Sequence, residues 1–174
     1  METSPIMAAF VTWLRDTPVS QAFRVPLEWL WPVCESVHFL GLALVIGTAG
    51  FFDARLLGFM KGIPIATAAQ FLPLAKVGFA MNLATGLYFF IASPFQYAFN
   101  IAWWYKVSAL VIAAANAAAF ELMVKSRAAP LREDEGVPLS FKVVGTLSML
   151  AWLNVLYWGR MLPFWSPPGS GADL

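Results

Sequence analysis

Four ionisable side chains sit inside or beside long apolar runs. Glu35 and His38 lie in LWPVCESVHFLGLALVIGTAGFF, Lys106 follows IAWWY, and Arg160 follows NVLYWG. Glu35 and His38 are three residues apart, so on a helix they share a face. An imidazole beside a carboxylate can relay a proton, and a neutral imidazole nitrogen can hold haem iron. Glu28 precedes Glu35 by seven residues, and Asp53 falls on roughly the same stripe. Glu-x-x-His is also one part of the di-metal carboxylate ligand set, which needs a second such pair and further glutamates. The chain has no second pair, which argues against a di-metal site within one molecule. The plainer reading is that Glu35 bonds His38 or a basic partner and fixes helix packing. Lys106 and Arg160 are cations that could complete an outward-facing polar cluster with Glu35 and His38. Taken singly, each is explained by snorkelling to the membrane boundary.

The composition says what must carry these groups. Hydrophobic residues make up 60% of the 174-residue chain and charged residues 12%, with a mean hydropathy of +0.69. Soluble domains carry about 25% charged residues, so this chain lacks the polar atoms to cover a water-facing surface. The net charge of +1 provides no basic stripe for phosphates, which excludes nucleic acid as a partner. The single cysteine, Cys34, excludes an internal disulfide, and the single histidine, His38, excludes sites that need two imidazoles from one chain. Met1 to Ala9 shows no basic region followed by an apolar core and a cleavage site, so no cleaved signal peptide is expected.

A hydrocarbon core of about 30 Å takes about 20 apolar residues per helix. Four stretches qualify: Leu30 to Phe52, Leu74 to Ala92, Ile101 to Val124 and Phe141 to Leu162. Ser93-Pro94 predicts a tight turn after the second, and Ala129 to Gly136, with its charged run, predicts a hydrated loop after the third. Ile6 to Leu14 is too short to span. Its Phe10 and Trp13, with Phe23 beyond Pro18, suit the headgroup region, as does a second interfacial turn at Gly62 to Ala69. The expected fold is all-α: an integral membrane four-helix bundle with an N-terminal interfacial amphipathic helix. Its parts are an interfacial segment at 1–28, the transmembrane domain at 29–165 and a flexible tail at 166–174.

Lys and Arg set the orientation. Arg55, Lys61, Lys76, Lys125, Arg127, Arg132 and Lys142 flank one side, against Arg15, Arg24, Lys106 and Arg160 on the other. The richer side is predicted to be cytoplasmic, which puts both termini in the periplasm of a bacterial inner membrane. At the inner end Asp53, Arg55, Lys76, Glu121 and Lys142 could form ion pairs tying helices together. Asn82, Asn116 and Asn154 are expected to make interhelical hydrogen bonds, and the glycines of the first two spans to allow close helix contact. Met81 and Met149 could serve as soft ligands to haem iron or copper(I), although methionine more often fills a core.

The stretch WPVCESVHFLGLALVIGTAGFFDARLLG, the N-x-x-T-G of Asn82 to Gly86 and the K-x9-N of Lys106 to Asn116 together resemble a family of small bacterial four-helix membrane proteins, a domain of unknown function. The resemblance runs from Trp31 to Arg160 and implies no established activity. More distantly, the chain looks like the membrane domain of copper-resistance protein D and the bundles of two-haem b-type cytochromes. That likeness implies haem b, but those cytochromes use histidine pairs. With only His38, the chain departs from them: the sixth position would fall to methionine, water, nothing, or His38 of a second copy.

Three functions follow as expectations. The first is haem b binding for electron transfer or sensing, with His38 as axial ligand, Glu35 nearby, Lys106 and Arg160 on the propionates, and quinone as a possible electron partner. The second is an oligomeric transporter or channel for protons, metal ions or a small solute. The third is an accessory subunit in a homo-oligomer or larger membrane complex. No nucleophile, base and oxyanion set is visible, and Cys34 has no adjacent cation, so a stand-alone enzyme is not expected.

Overall fold

A computed structural model describes residues 4–24, 29–126 and 137–165, the side chains of 124–126 excepted. Glu28, the hydrated loop at Ala129 to Gly136 and the 166–174 tail lie outside the described residues. Those described form helices α1 (Pro5–Asp16), α2 (Pro18–Arg24), α3 (Leu30–Leu56), α4 (Ile65–Ala69), α5 (Leu72–Ala92), α6 (Pro94–Ala98), α7 (Ile101–Ser126) and α8 (Leu139–Met161), closed by a 3-10 turn at Leu162–Trp165. No strand occurs among them. Four segments are long and apolar enough to cross a membrane: Leu30–Leu56, Ile65–Ala92, Ile101–Met123 and Leu139–Trp165. Their outer surfaces carry large apolar side chains such as Phe39, Leu83, Leu87, Val111, Ile112 and Leu153, all exposed, the pattern of helices apolar all round. Each helix pairs its own backbone groups, as hydrocarbon demands.

The ends of the spans have local causes. The first runs past Phe52 to Leu56 because Asp53 and Arg55 are buried there and Arg55 Nε donates to the Ile63 carbonyl. It then closes with a Schellman motif, in which the Gly58 N–H donates to Arg55 O and the Phe59 N–H to Ala54 O. Gly58 adopts φ +99°, a left-handed conformation that glycine takes without a Cβ penalty. Pro94 ends α5 at Ser93. Asn100 then opens α7: its Oδ1 accepts the Ala102 N–H at 2.9 Å, and its Nδ2 donates 2.8 Å to Leu162 O, tying the start of α7 to the end of α8.

α3 packs against both α5 and α8, and α7 packs against α8; α5 and α7 are not among the closely packed pairs. The α3–α5 crossing is set by Gly41 and Gly78. A Cβ on Gly41 would lie 2.8 Å from Gly78 O, and one on Gly78 would lie 2.6 Å from Gly41 O. Gly47 and Gly50 do no such work, since nothing lies within 4 Å of a Cβ on either. The end of the spans that carries Asp53 and Arg55 is called inner, and the opposite end outer, without regard to orientation. At the inner end Phe52 and Leu56 of α3, Ile65 and Ala68 of α4 and Phe141 of α8 form one buried cluster. The expected interfacial turn at Gly62 to Ala69 is therefore in part a packed plug. α1 buries Val11 while exposing Ile6, Phe10 and Trp13. α2 is pinned by Ser20 Oγ, which donates 2.8 Å to Ile91 O of α5.

Replacing Gly78 by Val should destabilise the protein by about 1–3 kcal/mol, the range for overpacking, because backbone rather than a side-chain tip blocks the new atoms. Gly47→Ala should change stability little. Unfolding of both variants in mixed micelles, followed by circular dichroism, checks the contrast.

Candidate functional site

His38 meets polar side chains from two other helices, Thr85 and Lys106. Its Nδ1 lies 2.7 Å from Thr85 Oγ1 on α5. Thr85 Oγ1 also lies 2.7 Å from the Met81 carbonyl; with the one hydroxyl hydrogen donated there, Oγ1 is left to accept the imidazole Nδ1–H. That bond leaves Nε2 with its lone pair, and Nε2 faces Lys106 Nζ of α7 at 3.5 Å. The Lys106 stem passes over Gly159 of α8, whose Cβ, if present, would lie 3.7 Å from both Cε and Nζ. One residue from each of α3, α5, α7 and α8 thus meets at this point. Aromatic rings wall it on the outer side: Phe89 stands edge-on to His38 with centroids 5.8 Å apart, and Trp31 packs on Phe89 at 4.8 Å.

Of the four residues expected in the cluster, His38 and Lys106 come together and the other two do not join them. Glu35 is exposed, and its Oε1 accepts the indole N–H of Trp31, four residues back on the same helix, at 3.1 Å. Thr85, not Glu35, orients the imidazole. The charge of Glu35 is felt at Tyr97 of α6: burial raises the pKa of that phenol above its ordinary value, and the Glu35 carboxylate adds to the rise. Arg160 is exposed at the outer end of α8, and among the described residues no hydrogen bond or ion pair joins it to the other three. Lys106 likewise has no carboxylate partner among the described residues. It is an interior ammonium beside an imidazole, suited to an anionic group.

Sequence reasoning did not give Thr85 a role. The available signal was the threonine of the N-x-x-T-G stretch from Asn82 to Gly86, a hydroxyl within the second span.

The inner half has a different arrangement. Lys76 of α5 and Glu121 of α7 form an ion pair. Asp53 is only 4% exposed, Ser148 of α8 lies beside its carboxyl, and its Oδ2 has no hydrogen-bond partner among the described residues. Asn116 Nδ2 donates 3.0 Å to Val144 O and so links α7 to α8, whereas Asn82 bonds Gly78 O within its own helix. A cavity of about 530 Å³ lies in this half, between α5 and α7 with α3 and α8 behind it. Among the described residues no group of three or more His, Cys, Asp or Glu side chains is placed to hold a metal ion.

Thr85→Val should destabilise the fold by about 1–3 kcal/mol, the penalty for leaving a buried donor unpaired. In a double-mutant cycle with His38→Phe, the two losses should fall short of additive, because one bond joins the two residues. Full additivity in chemical unfolding would contradict the assignment. Comparison of the chain with protein-family models, curated proteins and solved structures finds no match.

Proposed function

We propose that this chain is a membrane haem b-binding protein serving electron transfer or sensing, with His38 as the axial ligand. The observation that supports this reading is the orientation of the imidazole: Nδ1 is held by Thr85, and Nε2 is turned with its lone pair toward the point where four helices meet. A metal-ligating histidine needs its other nitrogen fixed by an acceptor, which sets the tautomer and raises the basicity of the ligating atom. Thr85 fills that role.

The donor set suits the group. It offers one imidazole, an interior cation at Lys106 for a propionate, the exposed Arg160 as a second cation near the boundary, and aromatic walls at Trp31 and Phe89. Space is the demanding requirement, because His38 is not among the residues lining the 530 Å³ cavity. Access to Nε2 requires Lys106 to swing away and α7 to yield, which parts the stacked rings of Phe90 on α5 and Trp103 on α7, 4.9 Å apart. Haem would supply a one-electron couple. The residues here hold the imidazole in one tautomer and one orientation, place an ammonium to balance a carboxylate, and exclude water with Phe89 and Trp31.

The wider setting proposed is a four-helix bundle in a bacterial inner membrane, with both termini in the periplasm. The excess of Lys and Arg on the side of Arg55, Lys61, Lys76 and Lys142 supports that orientation. Exposed Ile6, Phe10 and Trp13 on α1 support an interfacial position for that helix. A membrane quinone is the proposed electron partner, and the chain acts within a homo-oligomer or larger complex.

The test is the absorption spectrum of detergent-purified protein from haem-supplied cells, before and after dithionite. A Soret band with sharpened α and β bands on reduction is expected, absent in His38→Ala and retained with weaker haem affinity in Lys106→Leu. A flat visible spectrum would overturn the reading.

A further inference from the structure

The inner cavity carries features that a haem ligated by His38 would not use. Its volume, about 530 Å³, falls within the range of roughly 300–1,000 Å³ typical of ligand pockets. Most of the lining is apolar, with aromatic side chains from three helices: Phe79 of α5, Phe120 of α7 and Trp152 of α8. Asp53 lies in the same lining, and its Oδ2 is buried without a partner among the described residues.

Among the described residues no cation is paired with this carboxyl. Lys76, the cation in the lining, is paired with Glu121. Arg55, two residues along α3, is committed to the Ile63 carbonyl. The polar neighbours Ser148 and Asn116 are neutral. An ionised carboxylate in apolar surroundings calls for a positive charge or several donors, and without them the group takes up a proton; the Ser148 hydroxyl is the neutral neighbour at hand. Aromatic faces attract the same charge that the carboxylate does, because their quadrupoles are negative over the ring. α5 and α7, which both line the cavity, are not among the closely packed helix pairs and are bridged here by the Lys76–Glu121 pair.

We infer that this cavity is a binding site for a lipophilic cation, an organic molecule with an aromatic or alkyl body and one positive charge, held by Asp53 and the surrounding aromatic rings. Charge complementarity selects this occupant over a neutral acyl chain, which would leave Oδ2 unmet. The site is separate from His38 and does not depend on the haem reading.

The experiment is equilibrium binding of radiolabelled tetraphenylphosphonium to detergent-purified full-length protein. Saturable binding near one equivalent per chain is expected. Asp53→Asn, which keeps shape while removing charge, should weaken it at least tenfold, and Ala117→Phe, which fills the cavity from α7, should do the same. His38→Ala should bind as the wild type does, which separates failure of this site from failure of the haem site. Thermal melts establish that each variant is folded; if Asp53→Asn does not fold, Ala117→Phe decides the matter. Absence of saturable binding to the wild type, or unchanged affinity in the folded variants, would overturn the proposal.

Discussion

The hydrogen bond from His38 Nδ1 to Thr85 Oγ1 organises the outer half of this protein. It can form because Gly41 and Gly78 let the backbones of α3 and α5 approach closely enough for short side chains to meet. It fixes the tautomer of the only histidine in the chain and points Nε2 away from α5 toward Lys106. Lys106 can reach that position because Gly159 on α8 offers no side chain in its path. One bond and three glycines therefore place a lone pair and an ammonium side by side at the junction of four helices.

The two halves of the membrane domain handle polar atoms in opposite ways. In the outer half the side chains meet one another, and aromatic rings shield them from the boundary. In the inner half packing is tight around Phe52, Leu56, Ile65 and Phe141, yet the space beside it between α5 and α7 is open. Asp53 stands at the edge of that space with one oxygen unmet. A helix pair held apart beside a well-packed plug is costly unless something occupies the gap, since unfilled space forfeits dispersion contacts.

Much of this was legible in the sequence, and the limits have physical causes. The four spans follow from apolar length, and Ser93-Pro94 marks the turn after the second to the residue. The extension of α3 to Leu56 was not readable, because it depends on Arg55 finding the Ile63 carbonyl across a loop. Pairing Glu35 with His38 was reasonable from their shared face, yet Trp31 lies four residues back on that helix and its indole takes the carboxylate. The sequence offers Lys106 as one cation of a possible cluster, without its distance from His38. A lysine has four methylenes, so its ammonium meets a partner a turn away from its own Cα. Thr85 was hidden for a related reason: threonine in a span commonly bonds a carbonyl of its own helix, and nothing local shows that it also accepts from another. That Asp53 Oδ2 has no partner among the described residues is a tertiary fact with no sequence signature.

Because His38 is the only histidine, a single measurement addresses the geometry on which the functional reading rests. Nitrogen NMR of protein labelled with ¹⁵N-histidine in micelles reports one imidazole with two nitrogens. The account predicts a protonated Nδ1 and a bare Nε2 at neutral pH, and loss of that strict preference in Thr85→Val. A proton found on Nε2 instead of Nδ1 would contradict it, since the ring would then have no ligating nitrogen facing the centre of the four helices.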